Sequence, residues 1–170
     1  PVKINVVIIR GINDDWEELL KILATYPIWL RFIEFMPLGG YWEQQQYVSR
    51  EEMQKQLSKL GRLKPVPFPG GSGPAQYYEI EGYKGLVGFI SPISQHFCGQ
   101  CNRIRLTAEG KLRLCLFSEE ETDLRDLLRS ERFNFENLKK IIENTILKKP
   151  EQSVLADRKI GNRYMVQIGG

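Results

Sequence analysis

The 170-residue chain is long enough for one domain, or for one domain with part of another, and its 42% of hydrophobic residues can fill a core. Its net charge of +3 is too small to indicate nucleic-acid binding, and no apolar run approaches the roughly 20 residues that cross a membrane. Three cysteines cannot form a complete set of disulfides, and no secretory signal pattern is visible. We therefore expect a cytoplasmic protein with no nucleic-acid or membrane partner.

The start of the chain predicts a strand, a helix and a second strand. Val2–Ile9 is almost continuously apolar, like strands buried in parallel sheets, so we expect neighbouring strands that precede it outside this chain. Asn13 is a suitable N-cap for a helix whose apolar residues recur at helical spacing until Pro27. Leu30–Met36 is the second strand, and the three elements together predict a βαβ unit with parallel strands.

The middle of the chain predicts a helix, a loop and two short strands. Ser49 and Glu52 form a capping-box pattern that opens a helix. Residues 65–74 are rich in proline and glycine, which is typical of a loop. Tyr77–Ile80 and Gly85–Ile90 then read as strands on either side of a turn.

Two helices are predicted after residue 117. A second capping-box pattern, Ser118 with Glu121, opens the first of them. Apolar residues between Leu138 and Ile146 recur at helical spacing and indicate the second, which Pro150 ends.

The segment between Cys98 and Cys115 predicts a β-hairpin with a charged face. Its loop, Ala108-Glu109-Gly110, places glycine where a left-handed conformation is needed, and this register sets Arg105 opposite Arg113. Directly opposed residues share a face, as do residues two apart, whereas Ile104 and the leucines should lie on the core side. The predicted charged face carries Cys101, Arg103, Arg105, Arg113 and Cys115.

A cationic face beside three thiols has a clear chemical interpretation. Three cysteines can hold three irons of a [4Fe–4S] cluster and leave the fourth iron open to another ligand. Arginine binds phosphate oxygens with bidentate geometry. The combination indicates a phosphorylated substrate that reaches the open iron.

Other interpretations of the same residues stay open. Cys-x-x-Cys with a distant third cysteine fits zinc as well as iron, with His96 as the fourth ligand. Cys98-Gly-Gln-Cys101 also resembles a thioredoxin-type redox pair, although no helix N-terminus is predicted there. The arginines could form a merely solvated hairpin face. The second functional hypothesis is accordingly a zinc-stapled interaction domain without catalysis.

Three nearby runs of the chain are Pro92-Ile93-Ser94, Phe97-Cys98-Gly-Gln-Cys101-Asn-Arg103-Ile-Arg105-Leu-Thr107 and Leu114-Cys115-Leu116. Together they resemble the C-terminal cluster segment of the MoaA family. This family comprises the radical S-adenosylmethionine GTP 3',8-cyclases of molybdenum-cofactor biosynthesis. The segments Val2–Asn5, Gly11–Asp14 and Arg31–Pro37 are similar to the last strands of its barrel, and Met165–Gly170 is similar to its double-glycine tail.

The resemblance implies a role for individual residues. Cys98, Cys101 and Cys115 would hold an auxiliary [4Fe–4S] cluster, and Met36 would line the S-adenosylmethionine pocket. The C-terminal glycines would enter the active site, since only glycine lets backbone come so close. The implied GTP contacts are Lys3, Arg103, Ile104 and Arg105, and the implied catalytic tail is Gly169 and Gly170.

The implied fold is α/β: the end of an incomplete radical-SAM (TIM-like) barrel over residues 1–48, then a mixed α+β C-terminal region, residues 49–170, that binds the iron–sulfur cluster and GTP. The implied lyase converts GTP to (8S)-3',8-cyclo-7,8-dihydroguanosine 5'-triphosphate, and the full-length enzyme is expected to be a homodimer. The family's Cys-x3-Cys-x2-Cys motif, which holds the second [4Fe–4S] cluster that cleaves S-adenosylmethionine, does not occur in these 170 residues. We therefore expect a fragment that needs the missing N-terminal radical-SAM part and is inactive alone; the alternative is a separate, binding-only relative.

Overall fold

The structure, a computed structural model, describes residues 2–38, 42–67, 73–131 and 133–151, together with residues 164 and 167. The chain has the mixed α/β composition that its sequence predicts and divides into two compact units. Unit 1 comprises residues 1–36 and 42–97, and unit 2 comprises residues 37–41 and 98–170.

Unit 1 is built on a five-stranded mixed sheet. Its elements in chain order are β1 (Lys3–Ile8), α1 (Trp16–Thr25), β2 (Trp29–Glu34), α2 (Arg50–Leu57), β3 (Leu63–Val66), β4 (Gln76–Ile80) and β5 (Leu86–Ile90). The strand order is β1-β2-β5-β4-β3, in which β2 pairs in parallel with both β1 and β5, while β3 and β4 are antiparallel additions. The predicted βαβ unit is confirmed, and β3 extends to Val66, inside the region that was predicted as a loop.

The two faces of this sheet differ in character. One face packs against the helices, where Leu20 and Leu23 of α1 and Met53 and Leu57 of α2 are fully buried with Phe32 of β2. Alternation along the strands places polar side chains on the other face. The polar side chains of this face include Lys3 and Asn5 of β1 and, directly opposite Asn5, Arg31 of β2.

The helix caps in unit 1 follow the sequence signals only in part. The cap of α1 is Asp15, whose carboxylate accepts from the Glu18 N–H, so the prediction of Asn13 was wrong. Asn13 instead accepts from the backbone N–H of Ile9 and thus closes the preceding turn. Ser49 caps α2 as predicted, accepting from the Glu52 N–H.

The described part of unit 2 contains short strands and two helices. The strands β6 (Arg105–Leu106), β7 (Lys111–Arg113) and β8 (Thr122–Asp123) form an antiparallel sheet, followed by α3 (Arg125–Arg129) and α4 (Phe135–Ile146). The helix predicted to open at Ser118 does not: the Ser118 hydroxyl accepts from the Glu120 N–H in a turn, and the chain enters β8 before α3 begins. The last predicted helix is confirmed as α4, which Asn134 caps.

Strands from both sides of residue 48 belong to the sheet of unit 1. The domain boundary expected between residues 48 and 49 concerns the full-length protein and stays a prediction. In the described part of the chain, every helix is too short or too polar to cross a membrane.

Candidate functional site

Two of the three cysteines lie at a single turn. Cys98–Gln100 forms a short 3-10 turn, and the backbone N–H of Cys101 donates to the carbonyl of Cys98 at 3.0 Å. Cys115 follows β7 and is, like the other two, a free and partly buried thiol. All three are thus available as thiolate ligands.

A lysine from the far end of unit 2 contacts this turn. The ammonium of Lys149 lies 3.5 Å from the sulfur of Cys101 and also donates to the backbone carbonyl of Arg103. Burial alone would raise the pKa of the Cys101 thiol, but the Arg103 N–H, the Lys149 ammonium and the Arg103 charge lower it overall. The thiolate of Cys101, the form that binds metals, is therefore favoured.

The predicted register of the hairpin is confirmed. Arg105 pairs with Arg113, and the Thr107 N–H donates to the carbonyl of Lys111 at 2.9 Å. Gly110 has φ +83°, the left-handed conformation that its place in the loop required, and a Cβ there would also lie 2.8 Å from the Cβ of Arg125.

Arg105 is partly buried in an environment of both signs. Burial lowers the pKa of its guanidinium, as do the charges of Arg103 and Arg113, while Cys115 and Cys101 act in the opposite direction. Arg105 therefore lies within electrostatic reach of two of the three thiols. Among the described residues it has no salt-bridge or hydrogen-bond partner, so its charge is not neutralised there.

Arg113 does not belong to an open charged face, contrary to the sequence prediction. Its side chain is 2% exposed, lies 3.3 Å from the Glu121 carboxylate and donates to the carbonyl of Ser118. The prediction that Ile104 and the leucines lie on the core side was also wrong in part, because Ile104 and Leu106 are 46% and 59% exposed. The strand β6 has only two residues, and the apolar contacts of this unit come instead from β7 and the residues that follow it.

The remaining predicted site residues lie in unit 1 or outside the described ranges. Lys3 is exposed at the start of β1, with its ammonium 4.6 Å from the Trp29 ring centre, and Met36 is partly buried two residues beyond the end of β2. Lys3 and Met36 thus lie toward opposite ends of the parallel β1–β2 pair. Gly169 and Gly170 fall outside the described residues, and so does most of the double-glycine tail.

The donor chemistry fits an iron–sulfur cluster, since cysteine thiolates are its usual ligands. Within the described ranges, however, no three His, Cys, Asp or Glu side chains are grouped closely enough to hold a metal ion. This holds equally for the alternative site with His96, which is an exposed side chain.

Sequence reasoning missed a buried carboxylate at the end of β2. Glu34 is 0% exposed and accepts hydrogen bonds from the N–H groups of Arg50, Ile93 and Ser94 and from the hydroxyls of Tyr47 and Ser94. A lone glutamate inside an apolar strand is a sequence signal for such a group, because a buried charge requires partners. The contact of Lys149 with Cys101, 48 residues away, has no comparable signal.

The chain matches known proteins along its whole length. The family model described as Molybdenum Cofactor Synthesis C covers residues 28–155. The chain is 43% identical, over 173 residues, to a GTP 3',8-cyclase of Thermodesulfovibrio yellowstonii, a match that covers 100% of this chain and 52% of that protein. It is 46% identical, over 177 residues, to a GTP 3',8-cyclase of Heliobacterium modesticaldum, covering 100% of this chain and 54% of the relative.

The chain thus spans about half the length of the curated relatives it matches. These matches confirm the resemblance that the cysteine–arginine segment carries. The chain belongs to the Molybdenum Cofactor Synthesis C family and is a relative of the MoaA GTP 3',8-cyclases.

Proposed function

We propose that this chain is the cluster-binding and GTP-binding part of a GTP 3',8-cyclase, which converts GTP to (8S)-3',8-cyclo-7,8-dihydroguanosine 5'-triphosphate in molybdenum-cofactor biosynthesis. The observation that carries the proposal is Arg105. A partly buried guanidinium without a carboxylate partner in the described residues, within reach of two thiols, is suited to an anionic substrate held beside a thiolate-bound metal.

Cys98, Cys101 and Cys115 would hold the auxiliary cluster. When bound, a [4Fe–4S] cluster with three cysteine ligands supplies an iron at which the GTP base can bind. The lowered pKa of Cys101 favours the thiolate that this ligation needs. Within the described ranges the three thiols are not grouped closely enough to hold a metal ion, and their role as ligands is proposed from the family resemblance.

The segment Arg103-Ile104-Arg105 would bind and orient GTP. The carbonyl of Arg103 is held by Lys149, and Arg105 is held by the β6–β7 register, so the two arginines leave a fixed piece of backbone. Guanidinium groups can bind phosphate oxygens in pairs, whereas the exposed Ile104 can contact an apolar surface of the substrate.

Unit 1 would supply the last strands of a radical-SAM barrel. Supporting this, β1, β2 and β5 are parallel, and β1 lies at the edge of the described sheet with Val7 39% exposed. Lys3, on the face without helices, would contact GTP, and Met36, beyond the opposite end of the strand pair, would line the S-adenosylmethionine pocket. Residues 1–48 would complete the barrel, and residues 49–170 would form the C-terminal region.

The rest of the reaction would depend on the missing N-terminal part, whose Cys-x3-Cys-x2-Cys cluster cleaves S-adenosylmethionine. The C-terminal Gly169 and Gly170 would enter the active site, and the full-length enzyme would act as a homodimer. The chain alone should therefore not produce 5'-deoxyadenosine from S-adenosylmethionine and dithionite.

The test is an anaerobic assay of the full-length protein with GTP, S-adenosylmethionine and a reductant. We expect the cyclised nucleotide from the unmodified enzyme and its loss in Cys115→Ala, whereas the exposed control Lys140→Ala should retain it. Turnover that survives in Cys115→Ala, or production of 5'-deoxyadenosine by the 170-residue chain alone, would contradict the proposal.

A further inference from the structure

Lys3 of β1 and Trp29 of β2 are direct partners in the parallel strand pair of unit 1. The Lys3 ammonium lies 4.6 Å from the centre of the Trp29 ring, inside the roughly 6 Å over which an aromatic face attracts a cation. The strands are held in this register at their first residues, because the Trp29 N–H donates to the carbonyl of Val2 at 2.9 Å. The backbone therefore brings the lysine to the ring.

The Trp29 ring is itself held by a second aromatic ring. Tyr77 of β4 is 2% exposed, and its ring meets that of Trp29 edge-on, with centroids 5.2 Å apart and an interplanar angle of 64°. Strand β5 lies between β2 and β4, and Gly88 gives the tyrosine room to reach across it, since a Cβ at Gly88 would lie 3.1 Å from an atom of the Tyr77 ring. A buried ring on an interior strand thus fixes the tryptophan that the lysine contacts.

An aromatic partner leaves the charge of a lysine available to a ligand. A carboxylate would neutralise the ammonium, whereas a ring face attracts it without carrying a net charge. The Lys3 side chain is exposed on the face of the sheet without helices. A ligand on that face can therefore reach its N–H donors while the ring holds the ammonium in place.

We propose that Trp29 is a positioning residue for Lys3: its indole face holds the ammonium where the anionic groups of the substrate meet it. This inference rests on the proposed function, in which Lys3 contacts GTP. The physical reason is entropic, since a free lysine side chain samples many rotamers and loses that freedom when it binds a ligand. A contact that restrains the side chain before GTP arrives reduces this loss and so tightens binding.

Trp29 acts through Lys3 and does not itself contact the substrate. A double-mutant cycle tests this, because a residue that acts through another has no effect once the other is removed. The cycle consists of Lys3→Met, Trp29→Leu and the double variant in full-length protein. Trp29→Met also removes the ring, Trp29→Phe keeps an aromatic face, and Tyr26→Leu, which replaces an exposed aromatic residue after α1, is the matched control.

The affinities come from anaerobic isothermal titration with GTP. We expect Trp29→Leu and Trp29→Met to weaken binding about threefold, the size of an exposed cation–π contact. Lys3→Met should weaken it roughly tenfold, as for the loss of a hydrogen bond to a charged group. The double variant should bind no more weakly than Lys3→Met, Trp29→Phe should retain most of the affinity, and Tyr26→Leu should bind like the unmodified protein.

NMR of the same protein, labelled with carbon-13 in lysine, detects the contact without GTP. The ring should shift the Lys3 ε-methylene protons upfield, and Trp29→Leu should remove this shift. An unshifted Lys3 signal, an effect of Trp29→Leu on GTP affinity that is equal with and without Lys3, or no effect at all would overturn the inference. Unmodified affinity in Lys3→Met would also overturn it, while leaving Arg103 and Arg105 as GTP contacts. If the unmodified protein itself does not bind GTP, the proposed function fails as well, so the two failures are distinguishable.

Discussion

Arg105 lies directly opposite Arg113 in the hairpin of unit 2, yet only Arg113 has a carboxylate partner among the described residues. Like charges that face each other across an antiparallel pair destabilise it. Glu121 offsets this repulsion for Arg113, while Arg105 retains an unneutralised charge within reach of Cys101 and Cys115. One arginine of the pair therefore stabilises the fold, and the other is available for an anionic ligand.

The ion pair of Arg113 should contribute strongly to stability. Glu121→Gln leaves a 2% exposed guanidinium without its counter-charge, and breaking such a buried pair costs about 3 kcal/mol or more. Urea denaturation should show this loss in the free energy of unfolding. The exposed neighbour Glu120→Gln serves as the control and should change it by less than about 0.5 kcal/mol. Equal effects of the two substitutions would refute a structural role for the pair.

The carboxylate of Glu34 should hold the segment that leads into the first cysteine. It accepts from the N–H groups of Ile93 and Ser94, and Ser94 precedes Cys98 by four residues. An amide cannot accept all of these bonds, so Glu34→Gln should lower the free energy of unfolding by at least about 3 kcal/mol. The exposed Glu81→Gln is the matched control.

Hydrogen exchange separates this local role from a general loss of stability. In Glu34→Gln, the amides of Ile93 and Ser94 should exchange faster relative to the core strand amides of β2. Unchanged protection of both amides would show that the carboxylate does not hold this segment.

Acid should weaken the ion pair between Arg10, in the loop after β1, and Glu52 of α2. The hydrogen bond from Arg10 lowers the pKa of Glu52, against burial that raises it, and the charge of Arg10 lowers it further. A depressed carboxyl pKa contributes stability above its ordinary value near about 4.3 and loses it as pH falls through the lower folded value. Because both side chains are partly exposed, the contribution should be only ~0.5 kcal/mol.

Denaturation at several pH values measures this contribution. The difference between unmodified protein and Glu52→Gln should be constant near neutral pH and vanish in strong acid. Glu51→Gln, in the same helical turn, controls for the helix dipole and should give a smaller difference. A pH-independent difference would exclude the ion pair as its cause.

Arg103 and Arg105, the two arginines proposed to contact the substrate, should contribute to GTP binding. Arg105→Ala should weaken GTP binding to the cluster-loaded full-length protein by roughly tenfold, since hydrogen bonds to charged groups contribute about 1.5–3 kcal/mol. Arg103→Ala should act in the same direction. Lysine should substitute poorly at either position if the contact is bidentate, because an ammonium cannot form paired bonds.

Isothermal titration with GTP gives these affinities, and iron content verifies that the cluster is intact in each variant. Arg129→Ala, an exposed arginine of α3, should bind like the unmodified protein. Affinities of the Arg103 and Arg105 variants equal to that of Arg129→Ala would indicate a solvated arginine row.

Local signals predicted much of this fold. The apolar strands at Val2–Ile9 and Leu30–Met36 gave the parallel pair, and the glycine of the hairpin loop gave the register of Arg105 with Arg113. These features depend on residues close in sequence, whose periodicity and turn chemistry act directly.

The errors arose where tertiary contacts, rather than the local pattern, decide the outcome. The Ser118 pattern failed as a helix start because the chain forms β8 against β7 instead. The strand alternation predicts Arg113 on the charged face, but Glu121 and the carbonyl of Ser118 stabilise it in a buried position. Neither the Lys149–Cys101 contact nor the partners of Glu34 could be read from spacing, because both join segments far apart in the chain.

The most direct test of the central claim is the metal bound by the three cysteines. Full-length protein, with the cysteines of the expected Cys-x3-Cys-x2-Cys motif replaced by alanine, should be reconstituted anaerobically and analysed for iron, sulfide and zinc. We predict about four irons and four sulfides per chain, as in a [4Fe–4S] cluster, with loss of both in Cys115→Ala and no loss in His96→Ala. One zinc per chain that disappears in His96→Ala would contradict the account and favour a zinc-stapled domain.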